Sequence, residues 1–103
     1  MRAFVISDNT DTAMGFRLIG VDGIVVHSES DFKKEVIKAL DDENISLLMI
    51  TEKLINLCTE WIYQLKFYKH TQIVQIPDRH GSKKTASDII GEYLKSALGV
   101  SLQ

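Results

Sequence analysis

At residues 47–50 the sequence carries the aliphatic run LLMI, in which no position is polar. Successive side chains of a strand point to opposite faces, so such a run predicts a strand that is buried on both faces. Similar short runs rich in Ile, Val or other apolar residues occur at residues 3–6, 24–26 and 73–76. Strands buried on both faces need helices on both sides, which predicts a mostly parallel sheet.

The segments between these runs have the period of helices. Phe32, Val36 and Leu40 are four residues apart, with Ser30 expected to cap the N-terminus of their helix and Asn44 to stop it. A shorter helix is expected between Thr10 and Ile19. After the third run, Thr51 is expected to cap one helix with a single apolar stripe: Leu54, Ile55, Cys58, Trp61, Ile62 and Leu65.

The resulting order is βαβαβαβ, followed by a loop and a final helix. It predicts an α/β fold: a small Rossmann-like or receiver-like three-layer domain with a four-stranded parallel sheet, plus a C-terminal helix. Residues 1–77 are expected to form the globular domain. Residues 78–84 are a polar hinge loop, and residues 85–103 are the C-terminal helix and tail. Whether that helix packs on the sheet or faces a partner stays open.

Composition restricts the class of protein. The chain has 103 residues, 45% of them hydrophobic and 25% charged, which is typical of one globular domain. The formal net charge of −2 disfavours nucleic-acid binding. The lone Cys58 fits a reducing compartment, and no apolar run approaches the roughly 20 residues that span a bilayer. We therefore expect a protein that is cytoplasmic or peripheral to a membrane.

No motif predicts catalysis, a metal site or a cofactor. The first strand is followed by Asp8 and Asp11, which resemble the acidic cluster of a phosphoacceptor receiver domain. A receiver also needs an aspartate at the end of the third strand, where this chain reads Ile50-Thr51-Glu52. The three histidines have no metal-ligand spacing, and Cys58 on its apolar stripe is expected to be a small buried hydrophobe.

A set of short motifs resembles the F subunit of the rotary V-type and archaeal-type ATPases. An acidic turn after the first strand precedes GFRLIG at residues 15–20, which is similar to the family's GFRLxG helix. The ITE at residues 50–52, the IVQIP at 73–77 and the ALGV at 97–100 fall in the family's order. Members often carry a proline just before the fourth strand, where this chain has Thr71-Gln72.

The resemblance implies a non-catalytic rotor subunit in the soluble sector of the ATPase. Such a subunit binds the coiled-coil D subunit of the central stalk. It helps couple ATP hydrolysis or synthesis to transport of H⁺ or Na⁺, and its C-terminal helix reaches the catalytic A and B subunits, with B favoured. The alternative is a degenerate receiver-like regulatory binding domain.

Partner-binding residues are expected in two places. Arg17 is polar within the apolar GFRLIG block, so it either lies at an interface or supports the Asp8 and Asp11 turn. Phe16 and Trp61 are expected in the core. The remaining candidates form the apolar stripe of the last helix: Ile89, Ile90, Tyr93, Leu94 and Leu98.

Overall fold

A computed structural model of the chain describes residues 2–65 and 70–77. Helices and strands alternate along this part of the chain, as the sequence predicts. The elements in chain order are β1 (Arg2–Ser7), α1 (Thr10–Leu18), β2 (Asp22–Val25), α2 (Glu29–Leu40), β3 (Ile45–Thr51), α3 (Glu52–Leu57), α4 (Thr59–Leu65) and β4 (Gln72–Ile76).

The strands form one parallel sheet in the order β2-β1-β3-β4. β1 and β3 are the two central strands, and Val5 lies in register with Met49 of β3 on one side and Gly23 of β2 on the other. The predicted α/β fold with a four-stranded parallel sheet is therefore confirmed.

Alternate side chains of the strands enter two separate cores. On one face, Ile6 of β1 and Leu48 and Ile50 of β3 pack under α2, α3 and α4. On the other face, Val5 and Met49 pack with Phe16 of α1. Adjacent residues of the same strand pack into opposite cores. The apolar runs are therefore continuous because both faces of the strand are buried, as the sequence predicted.

Helix α1 has a strong signal at each end. The Asn9 side chain accepts hydrogen bonds from the backbone N–H groups of Asp11 and Thr12, at 2.8 and 3.2 Å. At the other end, the Gly20 N–H donates to the Arg17 carbonyl and the Val21 N–H donates to the Phe16 carbonyl. This is a Schellman motif, and it places Gly20 in the left-handed region with φ +87°.

The predicted limits of α2 are wrong at both ends. Ser28, not Ser30, is the N-cap, and its hydroxyl accepts a hydrogen bond from the Asp31 N–H at 3.1 Å. The helix ends at its C-cap Asp41, so Asn44 lies beyond it in the connection to β3. The predicted apolar face is confirmed, since Phe32, Val36 and Leu40 are all buried.

The single helix predicted after β3 is two short helices. Cys58, with φ −151° and ψ 61°, separates α3 from α4. Thr51 is the N-cap of α3 by position, but its side chain makes no capping hydrogen bond there. The stripe nevertheless faces one core: Leu54, Ile55 and Ile62 are buried, and Cys58, Trp61 and Leu65 pack against them.

Residues 2–65 and 70–77 fall within the predicted globular domain. The predicted hinge at 78–84 and the predicted C-terminal helix and tail at 85–103 lie outside the described residues.

Replacing Gly20 by alanine should destabilise the fold by about 1–2 kcal/mol, the usual cost of a left-handed conformation for a residue with a Cβ. A Cβ at Gly20 would meet no atom within 4 Å, so the cost is conformational and not steric. Urea unfolding should show a lower midpoint with an unchanged slope. The matched control is Gly20→Asn, which tolerates this conformation better, and equal midpoints for Gly20→Ala and wild type would contradict the assignment.

Candidate functional site

Three polar residues, Ser7, Asp8 and Thr51, come together at the carboxyl ends of β1 and β3. The two strands are parallel neighbours, so Ser7, Asp8 and Thr51 meet at one edge of the sheet. This is the edge at which open α/β folds commonly bind ligands. Ser7 and Thr51 are 0% and 1% exposed, so both hydroxyls need partners inside the protein.

Asp8 and Thr51 satisfy one another across the strand ends. The Thr51 hydroxyl donates to Asp8 Oδ1 at 2.9 Å and accepts a hydrogen bond from the Asp8 N–H at 3.3 Å. The two residues are 43 positions apart in sequence, so this pair ties the start of the β1–α1 turn to the end of β3. The side chain expected to cap α3 is used for this contact instead.

Ser7 holds the same turn from within. Its hydroxyl donates to the Asn9 carbonyl and accepts a hydrogen bond from the Asn9 N–H, both at 2.9 Å. The Asn9 side chain in turn caps α1. Among the described residues, no buried side-chain nitrogen or oxygen lacks a hydrogen-bond partner. The arrangement fixes a turn, and its polar atoms are engaged with one another.

The same geometry bears on the receiver-like alternative. Thr51 ends β3, at the position where a receiver domain would carry its acceptor aspartate. The Asp8 carboxylate accepts a hydrogen bond from the Thr51 hydroxyl. Asp8 therefore acts as a hydrogen-bond acceptor within the fold. Within residues 2–65 and 70–77, no three side chains of His, Cys, Asp or Glu come together as a metal site would require.

At the amino-terminal end of the sheet, the loop between α2 and β3 contacts the start of β1. Arg2 forms an ion pair with Asp42 at 2.7 Å, and both side chains are partly exposed. His70 Nε2 lies 3.4 Å from the Asp42 carbonyl oxygen. The buried Thr71 hydroxyl donates to the Ile45 carbonyl at 2.9 Å. Because exposed ion pairs contribute little, about 0–1 kcal/mol, we interpret this cluster as a structural connection.

Cys58 and Trp61 extend the core under α2. Trp61 meets Phe32 edge to face, with ring centroids 6.3 Å apart, and Lys33 Nζ lies 5.4 Å from the Trp61 ring centroid. Burial raises the pKa of the Cys58 thiol, and the nearby Glu29 carboxylate raises it further while Lys33 opposes this. A raised pKa lowers the thiolate fraction at neutral pH, which is unfavourable for a nucleophile. Both side chains are only partly buried and pack against the core cluster, whereas the sequence predicted a buried Cys58 and a core position for Trp61.

The structure places Arg17 on the outer side of α1. Phe16 is 1% exposed and faces the sheet, as predicted, whereas Arg17 is exposed. Sequence reasoning missed two apolar neighbours of Arg17, because Met14 and Leu18 are 58% and 86% exposed. The helical period could have predicted their exposure, because α1 buries only the face that carries Phe16, and Met14 and Leu18 lie on the other side. The other predicted partner residues, Ile89, Ile90, Tyr93, Leu94 and Leu98, lie outside the described residues.

The α1 side of the sheet is covered unequally by the described helices. Helix α1 packs mainly on β1 and β2. Beyond it, β3 and β4 turn Leu47, Met49, Val74 and Ile76 to the same face. Met49 and Ile76 are each only 1% exposed. These side chains belong to the same core cluster as Phe16 of α1.

A solved structure has the same architecture. The solution NMR structure of a de novo Rossmann2x2 fold, with most of its core mutated to valine, superposes with a TM-score of 0.56. The alignment covers 100% of this chain and 94% of the designed one, at 16% identity. The protein is therefore a Rossmann-like α/β domain, a class that by itself does not specify a function.

Sequence comparison gives the family. Residues 3–94 match the family model described as ATP synthase (F/14-kDa) subunit. The F subunit of the A-type ATP synthase of Methanocaldococcus jannaschii is 31% identical over 104 residues, covering 100% of both chains. That of Pyrococcus furiosus is 31% identical with 96% of each chain covered, and that of Methanothermobacter thermautotrophicus is 32% identical with 89% and 88% covered. The chain belongs to the family of ATP synthase F subunits.

Removing the Thr51 hydroxyl should destabilise the domain. In Thr51→Val the Asp8 N–H and carboxylate lose their partner, and we expect a loss of about 1–3 kcal/mol in the free energy of unfolding. Thr51→Ser is the control, because it keeps the hydroxyl and loses only a methyl group. Urea denaturation at neutral pH measures both. If the valine variant is as stable as the serine variant, the pair does not hold the turn.

Proposed function

We propose that the protein is a non-catalytic rotor subunit in the central stalk of a rotary ATPase or ATP synthase. In this role it binds the coiled-coil D subunit and helps couple ATP hydrolysis or synthesis to transport of H⁺ or Na⁺. The observation that carries the proposal is the match to the F-subunit family over residues 3–94. Relatives named as the F subunit of an A-type ATP synthase align along the whole chain, which supports one function for the entire domain.

The polar edge of the sheet supports a role without chemistry of its own. Asp8 hydrogen-bonds to Thr51 and Ser7 hydrogen-bonds to Asn9, so polar groups at the position that commonly holds a ligand in this fold are used to fix the chain. We propose that ATP is handled by the catalytic A and B subunits, and that the rotor subunit itself needs no cofactor.

A peripheral location in the cytoplasmic, soluble sector of the complex follows from the same proposal. Among the described residues, no helix has the length and apolar character needed to cross a bilayer. The protein would reach the membrane ring through the central stalk.

The C-terminal helix is proposed as the second contact, reaching the catalytic head and a B subunit in particular. Its sequence stripe is Ile89, Ile90, Tyr93, Leu94 and Leu98. The alternative for the free chain is that this stripe packs on the chain's own sheet. A helix that can use either surface could respond to the state of the complex.

The D subunit of the same organism should form a stable complex with this chain. Co-expression followed by size-exclusion chromatography with light scattering should give one peak with the mass of a 1:1 pair, and the chain alone should not hydrolyse ATP. Two separate peaks would remove the main support for the rotor assignment and favour the receiver-like alternative.

Ile90→Asp should separate a partner contact from a core position. If the stripe binds a partner, we expect the variant to stay folded, as judged by circular dichroism. We expect its complex with the A and B subunits to dissociate more readily or to show altered ATPase coupling. Lys95→Asp, which the helical period places away from the stripe, is the control. Unfolding of the free Ile90→Asp chain would instead make the last helix part of the core.

A further inference from the structure

We draw no further inference here: the strongest candidate, the exposed surface patch of Met14, Arg17 and Leu18 on the outer side of α1, carries none because nothing in the described part of the chain shows what covers it.

Discussion

Burial of the two central strands on both faces is the constraint on which the structure depends. Val5 and Met49 pack toward α1, while Ile6, Leu48 and Ile50 pack toward the other helices, and all five are essentially inaccessible to water. Full burial of one such side chain contributes about 1.5–3 kcal/mol relative to leaving it exposed. This demand for cover on both sides is what requires helices to cross from each strand to the next and makes the sheet parallel.

The polar side chains at the carboxyl ends of these buried strands need hydrogen-bond partners within the protein. Ser7 and Thr51 lie in the core at the very ends of β1 and β3 and cannot be hydrated there. Ser7 turns its hydroxyl to the backbone of Asn9, and Thr51 turns its hydroxyl to Asp8. At the end of the sheet that binds ligands in many α/β folds, these polar groups are thus engaged within the chain itself.

The strands, the helix faces and the two-sided packing could be predicted because each follows from a repeating pattern. Details that depend on one contact could not. Ser28 and Ser30 are equally good caps by type, and only the path of the chain after β2 selects Ser28. The stripe from Leu54 to Leu65 keeps its period across Cys58 although the backbone breaks there. Thr51 is a plausible cap until Asp8, 43 residues away, is seen to take its hydroxyl.

Helix α1 is held in place by one buried side chain and by a signal at each of its ends. Phe16 fastens it to the sheet, and Asn9 and Gly20 fix its two ends, so its position is set without help from its outer side chains. Met14, Arg17 and Leu18 on its outer side are exposed, so the core does not depend on them. The GFRLIG block thus combines a buried anchor, Phe16, with the helix stop signal, Gly20, within six residues, so that a single short motif fixes both the face of α1 that meets the sheet and the residue at which the helix ends.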